Sequence, residues 1–417
     1  MDILYLCHRI PYPPDKGDKI RSHAVLKHLA RHHCVHVGCF VDDPADMAYA
    51  EDVRRLAGGE CLFIRLTPAS KVLSAAWALA SGQSVTTAYF SSRAMAEWIK
   101  AVQSKRAIDR TVVFCSAVAP YVLDNPSLDV GRSILDLVDI DSDKWRQYAA
   151  NRRGLRRWLY EREAEKIFVL ERTAARRFGA TLLASQHEAE TFAAMVPESA
   201  SRIFGLANGV DRQYFTPGDL RNPFSAGEIP IVMTGRMDYR PNVEGAKWFL
   251  DEILPLVSEH VPRARFYVVG AHPPASLRAL SGGNFVVAGR VDDIRPYIQH
   301  ASAIVAPLRI ARGVQNKVLE AMAMEKPVVA TRAASRSLMV KSEIHLWIKD
   351  DPFEFAQAVV SAVQGKDRLE IAGRARDYVE RHHDWARNLS PLDCLLAEGL
   401  AAGPKAELPR RLVEALP

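Results

Sequence analysis

The strongest constraint on the fold of this 417-residue chain is a rhythm that runs, stops once and starts again. Short apolar runs at residues 3–6, 34–40, 61–66, 111–115, 133–137 and 181–184 alternate with helical patterns such as the one over 20–30. Uninterrupted apolar runs of strand length, separated by helices, are the pattern of a parallel sheet covered on both faces. The rhythm breaks in NGVDRQYFTPGDLRNPFSAGE, a stretch rich in Gly, Pro, Asn and Asp that reads as a linker. Runs resume at 229–234, 265–269, 284–287, 303–306 and 327–330, with helices expected over 243–260, 294–300 and 317–324. The sequence therefore predicts an α/β protein of two Rossmann-like, doubly wound parallel-sheet domains, the first over residues 1–207 and the second from 208 onward. The length suits two hydrophobic cores.

Composition narrows the class further. Hydrophobic residues make up 48% and charged residues 25%, so the chain can bury large cores and is not disordered. Its net charge of +6 could suit nucleic acid, phosphorylated ligands or an anionic membrane surface, but it is small against 55 basic residues and equally fits an ordinary solvated surface; no nucleic-acid partner is expected. The six cysteines are scattered without CxxC spacing, as expected of reduced thiols. The start MDILYLCHRI lacks the features of a signal peptide, and no stretch approaches the roughly 18 to 20 apolar residues of a membrane span. A cytoplasmic protein is expected. One segment, KWRQYAANRRGLRRWLYEREAEKIFVLERTAARR (residues 144–177), surrounds Trp158 and Tyr160 with Arg152, Arg153, Arg156 and Arg157 on an expected helix. It suits peripheral contact with an anionic membrane, although Glu161, Glu163 and Glu165 also fit a helix that packs Trp158 and Leu159 on the sheet.

Neither half carries GxGxxG after its first strand, which removes the usual phosphate turn of a nicotinamide or flavin site. In the first half the strand at 3–6 runs instead into HRIPYPPDKGDKIRSHAVLKHL, a loop with three prolines before a helix. Lys16 and Gly17 stand at that helix start, where backbone can approach a phosphate or sugar. The second half carries a more specific element, APLRIARGVQNKVLEAMAMEKPVVAT. A strand enters a loop containing Gly313, Val314 and Gln315, and a helix opens near Asn316 and Lys317. Free amides at a helix start hold a diphosphate, and Lys317 adds positive charge. Glu320 follows about one turn on, where a carboxylate can accept two hydrogen bonds from ribose hydroxyls. The pairs His32 with His33 and His382 with His383 lack further ligands at metal spacing, and His187 reads as a residue of a first helical turn.

On these residues the chain resembles the family-4 retaining glycosyltransferases of GT-B architecture. GVQNKVLEAMAMEKPVVAT resembles their nucleotide-sugar motif, NGVDRQYF their interdomain hinge, and GRMDYRPN their phosphate-binding strand end. Through PYPPDKGDKIRSHAVLKHL, LDLVDIDSDKWRQYA and GRMDYRPNVEGAKWF it is most similar to the sugar transferases associated with exosortase (PEP-CTERM) exopolysaccharide systems. The resemblance implies a nucleotide diphosphate-sugar donor held by Gly235, Arg236, Lys317 and Glu320 in the C-terminal domain. It further implies a glycan or polyprenyl-linked acceptor in the N-terminal one, and a last helix, over 376–400, crossing back to that domain. The domains so expected are 1–207, 208–375, and 376–417 as the returning helix and tail. No protein nucleophile and no metal is implied, since cations and a helix dipole can hold the diphosphate.

Three departures from the family pattern stand out. The family places a Glu eight positions before the ribose Glu, and here that position is Arg312. It often pairs an Arg and a Lys after the first strand of the C-terminal domain; Arg236 matches, while the Lys position falls around Pro241 and Asn242, leaving Arg240 as the expected substitute. Many members carry a His in an N-domain loop where LDLVDIDSDKW offers Val138 and Asp139, so Asp139 becomes the expected catalytic-site residue, beside Lys16 and Gly17. Asp139, Asp141 and Asp143 fall in the expected acceptor domain, a poor place for a donor metal. A nucleotide-sugar 2-epimerase of the same architecture, or a sugar-binding protein without turnover, remain alternatives.

Overall fold

The computed structural model describes residues 1–150, 152–311 and 313–397. Arg312 and the expected tail after residue 397 lie outside the described residues.

Among the described residues the chain forms two compact units, Met1–Ala207 joined by Leu389–Ala397, and Asn208–Asn388. The first is built on β1 (Asp2–Cys7), β2 (Cys34–Val41), β3 (Gly58–Arg65), β4 (Arg110–Phe114), β5 (Ile134–Val138), β6 (Ala180–Leu183) and β7 (Ile203–Gly205). They form one sheet in the order β3-β2-β1-β4-β5-β6-β7, with every pairing parallel. The central β1 is buried from Ile3 to Cys7, which is why its sequence shows no alternation. Helix α1 (Gly17–Leu29) lies on the sheet and places Arg21, fully buried, 2.8 Å from the equally buried Asp136 of β5. Further helices of this unit are α2 (Pro68–Ser81), α3 (Val85–Tyr89), α4 (Asp141–Ala150), α5 (Gly154–Arg177) and α6 (Gln186–Met195).

The second unit repeats the plan with β8 (Ile229–Thr234), β9 (Ala264–Val269), β10 (Phe285–Gly289), β11 (Ala303–Ala306), β12 (Val328–Ala330) and β13 (Trp347–Ile348). Its sheet order is β10-β9-β8-β11-β12-β13, again parallel throughout. Phe249, Phe266 and Phe285 stack through its core, with ring centroids 4.3 and 5.4 Å apart along the series. The helices that matter for the site are α7 (Arg240–Trp248) and α8 (Asn316–Ala323). The unit closes with α9 (Arg368–His382), and α10 (Trp385–Ala397) carries the chain back to the first.

Three expectations change. The helix expected over 243–260 is α7 followed by a π-helical turn, Phe249–Ile253, before a last stretch, Leu254–His260. Pro255 lacks an N–H and crowds the carbonyl four residues back, and the wider turn relieves both. The basic aromatic segment is two helices, because Gly154 adopts a left-handed φ of 59° and turns the chain between α4 and α5. The return to the first unit begins at Leu389 and not at 376. Ala375, Tyr378 and Val379 of α9 are buried in the second core, and Val210 N–H donates to the His383 carbonyl at 2.9 Å. Only the part of α10 from Leu389 on belongs to the first unit, where Asp393 meets His28 at 2.9 Å and Arg110 Nε donates to the Leu396 carbonyl at 2.8 Å.

Candidate functional site

In both sheets the strand order reverses beside the first strand of the unit, between β1 and β4 and between β8 and β11. Crossovers leave such a point toward opposite faces, and a crevice opens at the carboxyl ends of the strands.

In the second unit β8 ends in Gly235, whose φ of 135° frees the backbone to turn toward that crevice. Gly270, at the end of β9, comes so close that an added methyl would stand 1.9 Å from the Gly235 carbonyl oxygen. Gly245 does the same on α7, where a methyl would meet the Pro307 carbonyl at 2.6 Å. These contacts draw the ends of β8, β9 and β11 together. Lys317, in the first turn of α8, reaches over Gly235; its Nζ donates to Asn242 Oδ1 at 2.5 Å and would stand 2.9 Å from a Cβ on Gly235. Asn242, buried on α7, donates through Nδ2 to the Arg236 carbonyl at 2.7 Å. One side chain thus fixes both the turn and the ammonium. Arg236 presents its guanidinium to Asp238 through Nε at 3.1 Å and Nη2 at 2.7 Å, which lowers the Asp238 carboxyl against the pull of burial.

Helix α8 aims its first amides at the same place, with Gln315 at its N-cap after Gly313 at φ 59°. Both amide atoms of Asn316 are buried and without a hydrogen-bond partner among the described residues. Burial pushes Lys317 down to about 8, with Glu320 opposing, and pushes Glu320 up to about 7, with Lys317 opposing. Such a pair is poised for a ligand that brings negative charge to Lys317 and hydroxyl donors to Glu320. Gly235, Arg236, Gly313, Val314, Gln315, Asn316, Lys317 and Glu320 all belong to these loop and helix segments. Arg240 pairs through Nε with Glu244 at 2.5 Å along the exposed face of α7, a hydrogen bond that its (i, i+4) spacing makes easy. The second cation at this strand end is Lys317. Asn242 and Asp238 are site residues that sequence reasoning passed over, though both lie within GRMDYRPN.

In the first unit two residues outside glycine take left-handed backbone at neighbouring strand ends, Cys115 after β4 (φ 83°) and Val138 closing β5 (φ 68°). A β-branched residue there is strained, a feature that clusters at functional sites. The turn at Val138 lets Asp139 N–H donate to the Leu137 carbonyl at 2.8 Å and leaves Asp139 Oδ1 buried without a partner among the described residues. Burial, then the charge of Glu188, raises the Asp139 carboxyl to about 7. Glu188 itself is buried in the first turn of α6, capped by Ser185, while His187 beside it is exposed. An imidazole does stand at this edge, but it comes from His8, directly after β1. Its Nε2 lies 3.3 Å from Asp18 and its ring stacks on Phe114. Although burial opposes it, Cys115 and Asp18 raise His8 to about 10. Arg9 ties Asp18 (2.6 Å) to Asp42 (2.7 Å), and Lys16 stands at the N-cap position of α1 without a side-chain cap, followed by Gly17. The placement of His8 immediately after the first strand was the signal available in the sequence.

Among the described residues, one His, Cys, Asp or Glu trio is close enough to share an ion, Asp2, Cys34 and His36 at the amino end of the first sheet. His36 is already engaged there, with Nε2 3.0 Å from Asp2 and Nδ1 accepting from Glu60 N–H at 3.1 Å. No helix among the described residues is long and apolar enough to cross a membrane.

Two all-parallel sheets of this order, covered by helices, define the GT-B fold. Residues 228–365 match the family model for glycosyl transferases group 1, and the protein is a glycosyltransferase. Its fold is similar to that of Anabaena HepE in complex with UDP, with a TM-score of 0.65 and 14% identity over 95% of this chain and 100% of that one. It is likewise similar to sucrose-phosphate synthase from Thermosynechococcus elongatus (TM-score 0.69, 16% identity, 95% and 98% covered). A third such structure is WaaG, a glycosyltransferase involved in lipopolysaccharide biosynthesis (TM-score 0.65, 16% identity, 95% and 100% covered). At these identities the likeness carries the fold. No curated protein matches the chain in sequence.

Proposed function

We propose that the protein transfers a sugar, with retention, from a nucleoside diphosphate-sugar to a glycan or polyprenyl-linked acceptor in exopolysaccharide biosynthesis. Lys317 held over Gly235 by Asn242, with Glu320 one turn behind it, is the observation that carries the reading. The diphosphate binds to Lys317, Arg236 and the amides of α8, and Glu320 accepts the ribose hydroxyls. UDP and UDP-glucose, bound by HepE, are the first ligands to test.

In the transfer an acceptor hydroxyl oxygen bonds to the anomeric carbon while the bond from that carbon to the phosphate oxygen breaks. Negative charge gathers on the leaving diphosphate, where a fixed ammonium and a helix N-terminus favour it. The acceptor proton passes to the leaving phosphate oxygen on the same face, which gives retention without a protein nucleophile. Asp139 and the edge at His8, Lys16 and Gly17 bind the acceptor hydroxyls. The charge is met by protein groups, so no metal or other cofactor is called for. The enzyme works at the cytoplasmic face of a membrane, in peripheral contact through residues 145–177, where lipid-linked acceptors are presented.

The test is a thermal-shift series with nucleoside diphosphates, followed by donor turnover with lipid extract. A ligand at 100 times its dissociation constant stabilises by about 2.7 kcal/mol. No shift with any nucleoside diphosphate would remove the donor site. Formation of an epimeric nucleotide-sugar from donor alone would replace transfer by epimerisation.

A further inference from the structure

Helix α2 has the sequence PASKVLSAAWALAS, in which Lys71 is the only charge and Ala78 the only buried residue. Val72, Leu73 and Trp77 are 69%, 70% and 53% exposed. The helix is well terminated: Thr67 and Ser70 form a capping box, Pro68 occupies the first turn, and Gly82 closes it at φ 73°. It is thus a formed helix with nearly all its apolar surface facing water, an arrangement that marks an interaction surface. At 1.5 Å per residue it spans about 21 Å, too short to cross a hydrocarbon layer of about 30 Å.

The start of α5 is fixed beside it. Arg162 donates from Nη2 to the Ala78 carbonyl at 3.1 Å and the Gln83 carbonyl at 2.8 Å. The next residue, Glu163, accepts from Ser84 Oγ (2.7 Å), Val85 N–H (2.9 Å) and Thr86 N–H (2.8 Å), capping α3. Glu163 is therefore a buried cap and adds no charge to the surface. One turn before Arg162, on the same face, stands Trp158, 54% exposed, and three residues earlier Leu155, also exposed, with Arg153, Arg156 and Arg157 around them. Trp145, Tyr148 and Tyr160 instead pack on one another, with centroids 5.5 to 6.3 Å apart.

We propose that α2 and the first turns of α5 form one docking surface for an anionic bilayer, α2 lying in the interface with Leu73 and Trp77 inserted and Arg153 and Arg156 on lipid phosphates. This rests on the membrane-face reading above and extends it to a helix outside the basic segment. The charge selects the occupant. A second copy related by a twofold axis would oppose the same arginines, whereas anionic headgroups neutralise them while the chains below accept the apolar side chains.

The test is co-sedimentation with vesicles of phosphatidylcholine alone and of equal parts phosphatidylcholine and phosphatidylglycerol, using wild type, L73S/W77S and R153Q/R156Q. All four positions are exposed, and unchanged circular dichroism and UDP binding verify folding. Wild type should pellet with the anionic vesicles; L73S/W77S should lose about tenfold or more in partitioning. The arginine variant should lose both affinity and salt sensitivity. If L73S/W77S pellets like wild type while the arginine variant does not, α2 is not an insertion element and the reading of the basic segment stands alone. Failure of wild type to pellet with either vesicle overturns both. Self-association without lipid that L73S/W77S abolishes would make the surface an interface between copies and overturn the proposal.

Discussion

The ammonium of Lys317 is hydrogen-bonded at 2.5 Å to Asn242 Oδ1, a residue 75 positions earlier, and the pair closes over Gly235. The family pattern would place a lysine at about position 242, on α7; here the cation comes from α8 and the α7 residue holds it.

This contact predicts a rescue. Asn242→Ala should weaken a nucleoside diphosphate roughly tenfold by releasing Lys317, with little effect on the bare nucleoside, because the lost interaction serves phosphate. Lys317→Met should cost at least as much, and adding Asn242→Lys to it should restore most of the affinity. Calorimetry showing no recovery would dissociate the two positions.

Donor affinity should be bell-shaped in pH. Glu320, at about 7, must lose its proton to accept ribose hydroxyls, so affinity rises with pH through that value. Lys317, at about 8, must keep its proton to hold phosphate, so affinity falls above it. Glu320→Gln should erase the acid limb and lower affinity about tenfold. Its titration should leave the alkaline limb in place, and a flat acid limb in wild type would exclude Glu320 from the site.

Asp139 makes a stability prediction of definite sign. Its carboxyl is raised from 3.8 to about 7, so the folded state binds the proton more tightly than the unfolded one. Its contribution is complete below pH 3.8 and is lost as pH rises toward 7. Asp139→Asn should therefore melt above wild type at pH 8 and close to it near pH 4, while transfer activity falls. A constant difference between the two melting curves across pH would contradict a buried, proton-coupled Asp139.

Gly270→Ala should unfold the second unit more easily by about 2 kcal/mol or more, read from urea denaturation, because its methyl meets backbone that cannot yield. Donor affinity should fall with it, since the same contact sets Gly235. A neutral effect on both would mean that the ends of β8 and β9 can separate freely.

If protein cations and a helix dipole hold the diphosphate, transfer should survive chelation. Activity within about twofold of the untreated enzyme after exhaustive treatment with EDTA is the expected outcome. Loss of activity restored by a divalent ion would show that a metal shares the charge.

The sequence by itself determined the two-sheet plan and the helix start at Asn316. Runs such as ILYLC and VVFCS, apolar on both strand faces, permit only strands covered on both sides, and GVQNKVLEAM places loop, amides and cation at one helix start with the carboxylate about a turn behind. These are local patterns, and local backbone preference is enough to read them. Tertiary structure decided which distant side chains meet. Lys317 meets Asn242 because β8 and β11 are neighbours, which brings the starts of α7 and α8 to one crevice. Glu163, in the sequence only one of the glutamates along the basic segment, caps α3 because α5 lies across it. Strands as short as β7 and β13 give no periodicity, and they exist because a neighbouring edge supplies their hydrogen bonds. Strand order and helix docking are settled by packing between elements far apart in the chain, and no window of residues contains that information.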